Sequence, residues 1–151
     1  MDGESVPDHM YRMAMLAMTL PFTPEGVDRD RAIQMCLVHD VAEVYVGDIT
    51  PECGISSTEK KRMETAAMHE ITALLPPEQT RMMLGLFEEY EEGVTETARF
   101  VKDLDKIEFL LQARSYENRH GKSFPEFFSN TVGKIQNKTL LYFFFPPTSF
   151  N

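Results

Sequence analysis

The chain has 151 residues, 42% hydrophobic and 26% charged, with a formal net charge of −9 at pH 7. That length supports one domain with a single sizeable core, and the acidic balance argues against a nucleic-acid polymer as partner, because like charge repels a phosphate backbone. No stretch approaches the ~20 apolar residues of a membrane span and no leader pattern opens the chain. Cys36 and Cys53 have no CxxC spacing, which points to a reducing compartment, so the expected location is cytoplasmic.

Ser5 and Asp8 form an S-x-x-D start signal ahead of HMYRMAMLAMTL, a Met-rich helix former ended by Pro21, Pro24 and Gly26. Asp28 caps a second predicted helix over about 29–46. Its residues 32–46 carry only Gln34, His39, Asp40 and Glu43 as clearly polar side chains, and a helix apolar on almost every side belongs in the middle of a bundle. After the loop GDITPECGISS, Ser56 and Glu59 make a capping box for a third helix to about residue 75, with Met63, Ala66, Ala67 and Ile71 as its apolar side. Pro76 and Pro77 end it. A fourth helix over about 78–92 stops at Gly93. A fifth, over about 96–119, presents Phe100, Val101, Leu104, Ile107, Leu111 and Ala113, and Ser123 with Glu126 caps a short sixth segment. No strand, repeat or linker signal interrupts this series, so the expectation is one all-α domain. The closing stretch NKTLLYFFFPPTSFN is either tucked onto the body or an exposed apolar patch.

Leaving an ionised group buried costs several kcal/mol, so His39, Asp40 and Glu43 in an apolar helix need something to neutralise them. In a continuous helix His39 and Glu43 face the same way at i and i+4, while Asp40 and Glu43 at i and i+3 repel one another. A divalent cation removes the conflict. A lone His in a helix is more often a hydrogen-bonded core residue, but two further candidates join this one. His9 stands near the start of the first helix, and Asp105 lies on the inward side of the fifth beside Leu104. Asp103, two residues away, reads as solvated. Two imidazoles and two carboxylates suit Mn, Fe, Co, Zn or Mg without choosing among them.

The order H…HD…D, carried by ESVPDHMYRMA, LVHDVAEVYVGDITP and FVKDLDKIEFLLQA, resembles the HD-domain phosphohydrolases. More narrowly, it resembles the HD domain-containing protein 2 family, which is similar to the bacterial 5′-deoxynucleotidases. The likeness runs from about Glu4 to Gly133 and includes EFFSNTVGKIQ, so residues 4–136 are the expected HD domain and 137–151 a divergent C-terminal tail. The resemblance implies an all-α helical bundle with a metal site in its core and a homodimer. It also implies a divalent cation, Mn, Co or Mg foremost and Zn or Fe as alternatives. The implied activity is removal of the 5′-phosphate from deoxynucleoside 5′-monophosphates.

By the same resemblance the metal ligands are His9, His39, Asp40 and Asp105. Glu43 and Asp48, in the HDxAExxxGD stretch, fall at catalytic and substrate positions, and with the Ile49 carbonyl they form a possible second cation site. Glu43 then orients or deprotonates the attacking water, or is simply a partner of a metal-binding His. Asp48 sits at the mouth of the site, or is a turn residue after Gly47. Arg12, at i+3 from His9, faces a substrate phosphate or makes a salt bridge across the bundle. Lys102, one turn before Asp105, is within reach of an anion but reads as solvated, and His69 and His120 read as surface residues.

Family members usually begin with an earlier helix containing an Arg-Thr-Gly-Trp stretch, whereas this chain starts at MDGES and has no Trp. The expectation is that this segment is missing, along with its help in holding the nucleotide and favouring the deoxy sugar. The C-terminus also departs from the family after about Gln136, where Pro146 and Pro147 cut a helix short. Two other readings follow from these departures and from the breadth of the HD class. One is a catalytically weak variant acting as a binding or dimerisation partner. The other is a hydrolase of another nucleotide, a triphosphate or a cyclic one.

Overall fold

Most of the long helices begin where a side chain takes up free backbone N–H groups. A computed structural model describes residues 5–150; the expected domain start at Glu4 and the last tail residue, Asn151, lie outside the described residues. In α1 (Val6–Thr19) the Ser5 hydroxyl accepts from the Asp8 N–H, as the start signal requires. Asp28 caps α2 (Arg29–Val38), Ser56 caps α4 (Ser57–Thr72) and Thr95 caps α6 (Glu96–His120) in the same way. α5 (Pro77–Glu92) instead starts on proline and ends at Gly93, whose φ of 66° suits only glycine well. The order is completed by α3 (Glu43–Val46), which follows α2, and by α7 (Pro125–Val132) and α8 (Lys138–Phe144). No strand occurs among the described residues, and none of their helices is long and apolar enough to cross a membrane.

α2 packs against α1, α5 and α6, and α6 also meets α1, α5 and α7. Ala17, Ala32 and Ala98 are fully buried where small side chains let helices approach. Met13, Met35 and Met68 fill the irregular space between them, a use for which the flexible thioether is suited. The tail is tucked onto this core: Asn137 caps α8, and Leu140, Leu141 and Phe145 are buried.

Several expectations change. The single helix expected over 29–46 is two. The His39 N–H still bonds the Met35 carbonyl, but the Val41, Glu43 and Tyr45 N–H groups reach only three residues back, to Val38, Asp40 and Ala42. The chain therefore tightens into 3₁₀-type turns after Val38, and α3 buries no residue, with Val44 and Tyr45 exposed. The i, i+4 alignment of His39 with Glu43 is lost with that break. Glu59 turns to Arg62 rather than back to Ser56, so only half of the capping box forms. Ala66 is exposed, and Ala67, Met68 and Thr72 form the buried side of α4. Ser123 does not cap α7, whose N-cap position is Phe124 and which has no side-chain cap.

Candidate metal centre

The break after Val38 is what sets His39. It ends α2 as the C-cap residue, 3% exposed, with its Nδ1 donating to the Cys36 carbonyl at 2.8 Å. A carbonyl only accepts, so the proton is on Nδ1 and Nε2 is turned inward. That Nε2 is buried, makes no hydrogen bond, and lies 3.2 Å from Asp40 Oδ2. From α1, His9 brings its Nε2 to 2.9 Å from Asp105 Oδ1 on α6 and 3.6 Å from Asp40 Oδ2. Donor atoms of His9, His39 and Asp105 all lie within 4.8 Å of one another. The fold thus brings the four expected ligand residues together, from three separate segments.

The electrostatics match a cation site. Burial lowers the His9 pKa, but its hydrogen bonds to Asp105 and Glu108 outweigh this and raise it from 6.5 to about 10. Burial also lowers that of His39, and the adjacent Asp40 with Asp105 again raises it. Burial pushes the Asp105 carboxyl up, yet the His9 hydrogen bond and the charge of His39 hold it below the usual range. Two imidazoles and two carboxylates that converge, with one buried imidazole nitrogen lacking a hydrogen bond, fit a divalent cation.

His9, Asp40 and Asp105 open onto a cleft of about 850 Å³ that Glu43 and Asp48 also line. Burial, followed by repulsion from Asp40 and Asp48, pushes Glu43 up to about 7. Gly47, at φ 72°, turns the chain out of α3 and leaves Asp48 exposed beside it. Ile49 is buried, and its carbonyl accepts from Lys60 Nζ at 3.1 Å, a cation already seated on one of the three groups expected to hold a second metal.

Asp103 and Lys102 depart from expectation, while Arg12, His69 and His120 fall on readings already open to them. Asp103 is not solvated: it is 2% exposed, and its two oxygens accept from the Gln136 and Asn137 N–H groups at 3.0 and 2.9 Å. Lys102 is half-buried rather than solvated, its Nζ 4.1 Å from the Tyr90 ring centre. Burial lowers its pKa against the pull of Glu91. Arg12 does not line the cleft; its Nε bonds Glu108 Oε1 at 2.5 Å. His69 and His120 are exposed.

Three groups were not among the expected residues. Tyr90 stacks 4.8 Å from His39. Lys60, Lys61, Lys102, Lys106 and Lys134 border a cleft in a chain of net charge −9, and of these only Lys102 had been singled out. Glu108 carries a visible signal, being an acid between Ile107 and Phe109, one turn from Asp105. The lysines carry none, because distant segments supply them.

The fold and these converging donors define a protein of the HD class. A sequence model of the HD domain matches residues 1–142, so the chain belongs to the HD-domain family. It is similar to a predicted metal-dependent phosphohydrolase of Magnetospirillum magnetotacticum MS-1, with a TM-score of 0.75 at 28% identity, covering 93% of this chain and 75% of that one. Within the family it falls with the HDDC2 proteins. The 5′-deoxynucleotidase HDDC2 of Mus musculus is 44% identical over 140 residues, 91% of this chain and 69% of that protein. The protein of that name from Dictyostelium discoideum is 41% identical over 145 residues, 89% and 76% of the two chains.

Proposed function

We propose that the chain is a metal-dependent 5′-deoxynucleotidase, a phosphoric monoester hydrolase acting on deoxynucleoside 5′-monophosphates. The observation that carries this reading is the buried, unbonded His39 Nε2 converging with His9, Asp40 and Asp105, the last three of which line a lysine-bordered cleft. The names of the HDDC2 relatives support the substrate class. His9, His39, Asp40 and Asp105 would hold the cation; the mixed donor set suits Mn, Co, Mg, Zn or Fe alike, and the family resemblance puts Mn, Co or Mg foremost. When bound, a divalent cation there stabilises charge on the phosphoryl oxygens and makes a water more acidic.

The chain's own groups do the rest. Glu43, with a pKa near 7, is suited to take a proton from the attacking water at neutral pH. The water oxygen bonds to phosphorus as the P–O5′ bond breaks; O5′ takes a proton from solvent, and nucleoside and inorganic phosphate leave. Lys102 and Lys106 offer positive charge to the phosphate within the cleft. Asp48, exposed at the mouth, is assigned to the sugar hydroxyl. Lys60 on the Ile49 carbonyl supplies charge at the expected second cation site, which a metal there would have to displace. For the homodimer we assign the outward stripe of α1, Tyr11, Met15 and Met18, exposed at helical spacing. Two free cysteines suit the cytoplasm.

Phosphate release from dAMP, dCMP, dGMP and dTMP, with Mn, Co or Mg restored after chelation, tests the activity, with Asp40→Ala as control and nucleoside triphosphates beside it. Metal-dependent release from monophosphates, lost in the variant, is the expected result. Preference for triphosphates would move the enzyme to another substrate branch. No release from folded, metal-loaded protein would leave a binding or dimerisation partner instead.

A further inference from the structure

Glu108 is the acid that the proposed reaction leaves unused, and it is placed where an acid is costly. Its side chain is 2% exposed, and taking a carboxylate that far out of water costs several kcal/mol unless its oxygens are matched. Both are: Oε2 lies 2.7 Å from His9 Nδ1 and Oε1 2.5 Å from Arg12 Nε. His9 and Arg12 sit three residues apart on one face of α1, and Glu108 lies one turn beyond Asp105 on α6. The same two helix faces therefore carry one contact to each nitrogen of the His9 ring, Glu108 at Nδ1 and Asp105 at Nε2.

We infer that Glu108 is the positioning residue for His9. A carboxylate accepts, so the proton at that contact is on Nδ1, and the ring is held with Nε2 turned toward Asp40 and Asp105. Arg12 acts through Glu108: by binding the second oxygen it stops the carboxylate from rotating away from the ring. This replaces a direct role for Arg12 on the substrate phosphate, since Arg12 does not line the cleft. A purely structural ion pair between α1 and α6 would need Arg12 alone; the contact to Nδ1 makes Glu108 part of the donor set's geometry. The inference rests on His9 being a cation ligand, as proposed above.

The test uses the full chain and Co²⁺ as probe. Glu108→Gln keeps the size and a partner for Arg12 but not a carboxylate at Nδ1. Its Kd for Co²⁺, by titration calorimetry, is expected to weaken about 10–100-fold, with a changed visible Co²⁺ spectrum while circular dichroism stays native. Glu108→Asp, which keeps the charge, should recover part of the affinity. A folded Glu108→Gln that binds within about twofold of the parent, with the same spectrum, overturns the inference and leaves the ligand set standing. If the variants do not fold, the parent protein still decides. Nitrogen-detected imidazole NMR of the Zn²⁺-loaded chain should show His9 protonated on Nδ1 and ligating through Nε2. Ligation through Nδ1 overturns the inference, and failure of the parent to bind any divalent cation overturns the ligand assignment with it.

Discussion

Asp103 and Asp105 stand two residues apart on α6 and serve opposite sides of it. Asp103 accepts from the Gln136 and Asn137 N–H groups on the way into α8, while Asp105 bonds His9 in the cleft. A helix turns about 100° per residue, so an i, i+2 pair cannot share a face. One carboxylate therefore anchors the C-terminal segment and the other belongs to the candidate site.

Asp103→Ala strands two part-buried backbone donors beside α8. The expected loss is about 2–4 kcal/mol in urea unfolding, with cation affinity unchanged in the folded fraction. Asp103→Asn recovers less than half, since its amide can accept from only one N–H and turns a donor toward the other. A loss under about 1 kcal/mol would show that water replaces the carboxylate there.

His39→Ala and Asp40→Ala are expected to come back from chelation and reloading with little metal. The parent gains about 2.7 kcal/mol of stability at a cation concentration one hundred times its Kd, and Asp40→Ala should gain almost none. Thermal unfolding with and without added Mn reads both. Equal metal content in parent and variants would move the site away from these residues.

The chelated protein should show the Glu43 titration in its stability. The folded pKa of about 7 lies above the ordinary 4.5, so between those values the native chain holds a proton that the unfolded chain has lost. By linkage, this contribution is intact below pH 4.5 and declines as the pH rises toward 7. Glu43→Gln has no such proton to lose. Its stability relative to the parent should therefore climb across that window and level off above it, in urea unfolding from pH 4 to 8. A difference that does not vary with pH would mean the Glu43 carboxyl is better solvated than its surroundings suggest.

Gly93→Ala tests the seat of Lys102. The position has φ 66°, and an added Cβ would lie 2.8 Å from Lys102 Cε. Left-handed backbone costs an L-residue about 1–2 kcal/mol, and the lysine must swing away from Tyr90. The expected result is a Tm lower by roughly 2–8 °C and a higher KM for the phosphate monoester with kcat little changed. An unchanged KM would place Lys102 outside substrate binding.

The helix order was legible because its signals are local: Ser5, Asp28 and Ser56 cap where they stand, and Gly93 stops α5. The candidate ligand residues stood out because acids and imidazoles in apolar runs are conspicuous and because the H…HD…D order resembles that of a known family. The break after Val38 was not, since 36–46 contains neither Pro nor Gly and nothing short-range distinguishes a long helix from two joined by tight turns. Asp103 was misread for the reverse reason. Its partners are backbone groups 33 and 34 residues away, and no pattern in a single helix announces them.

His9 and its partner Glu108 are 99 positions apart along the chain. A nascent chain that has yet to reach α6, or a fragment cut between α2 and α6, can assemble at most part of the donor set. Cation retention is thus a certificate of a completed fold: on heating, metal release and loss of helix should fall on a single transition, and no proteolytic piece should carry the ion away.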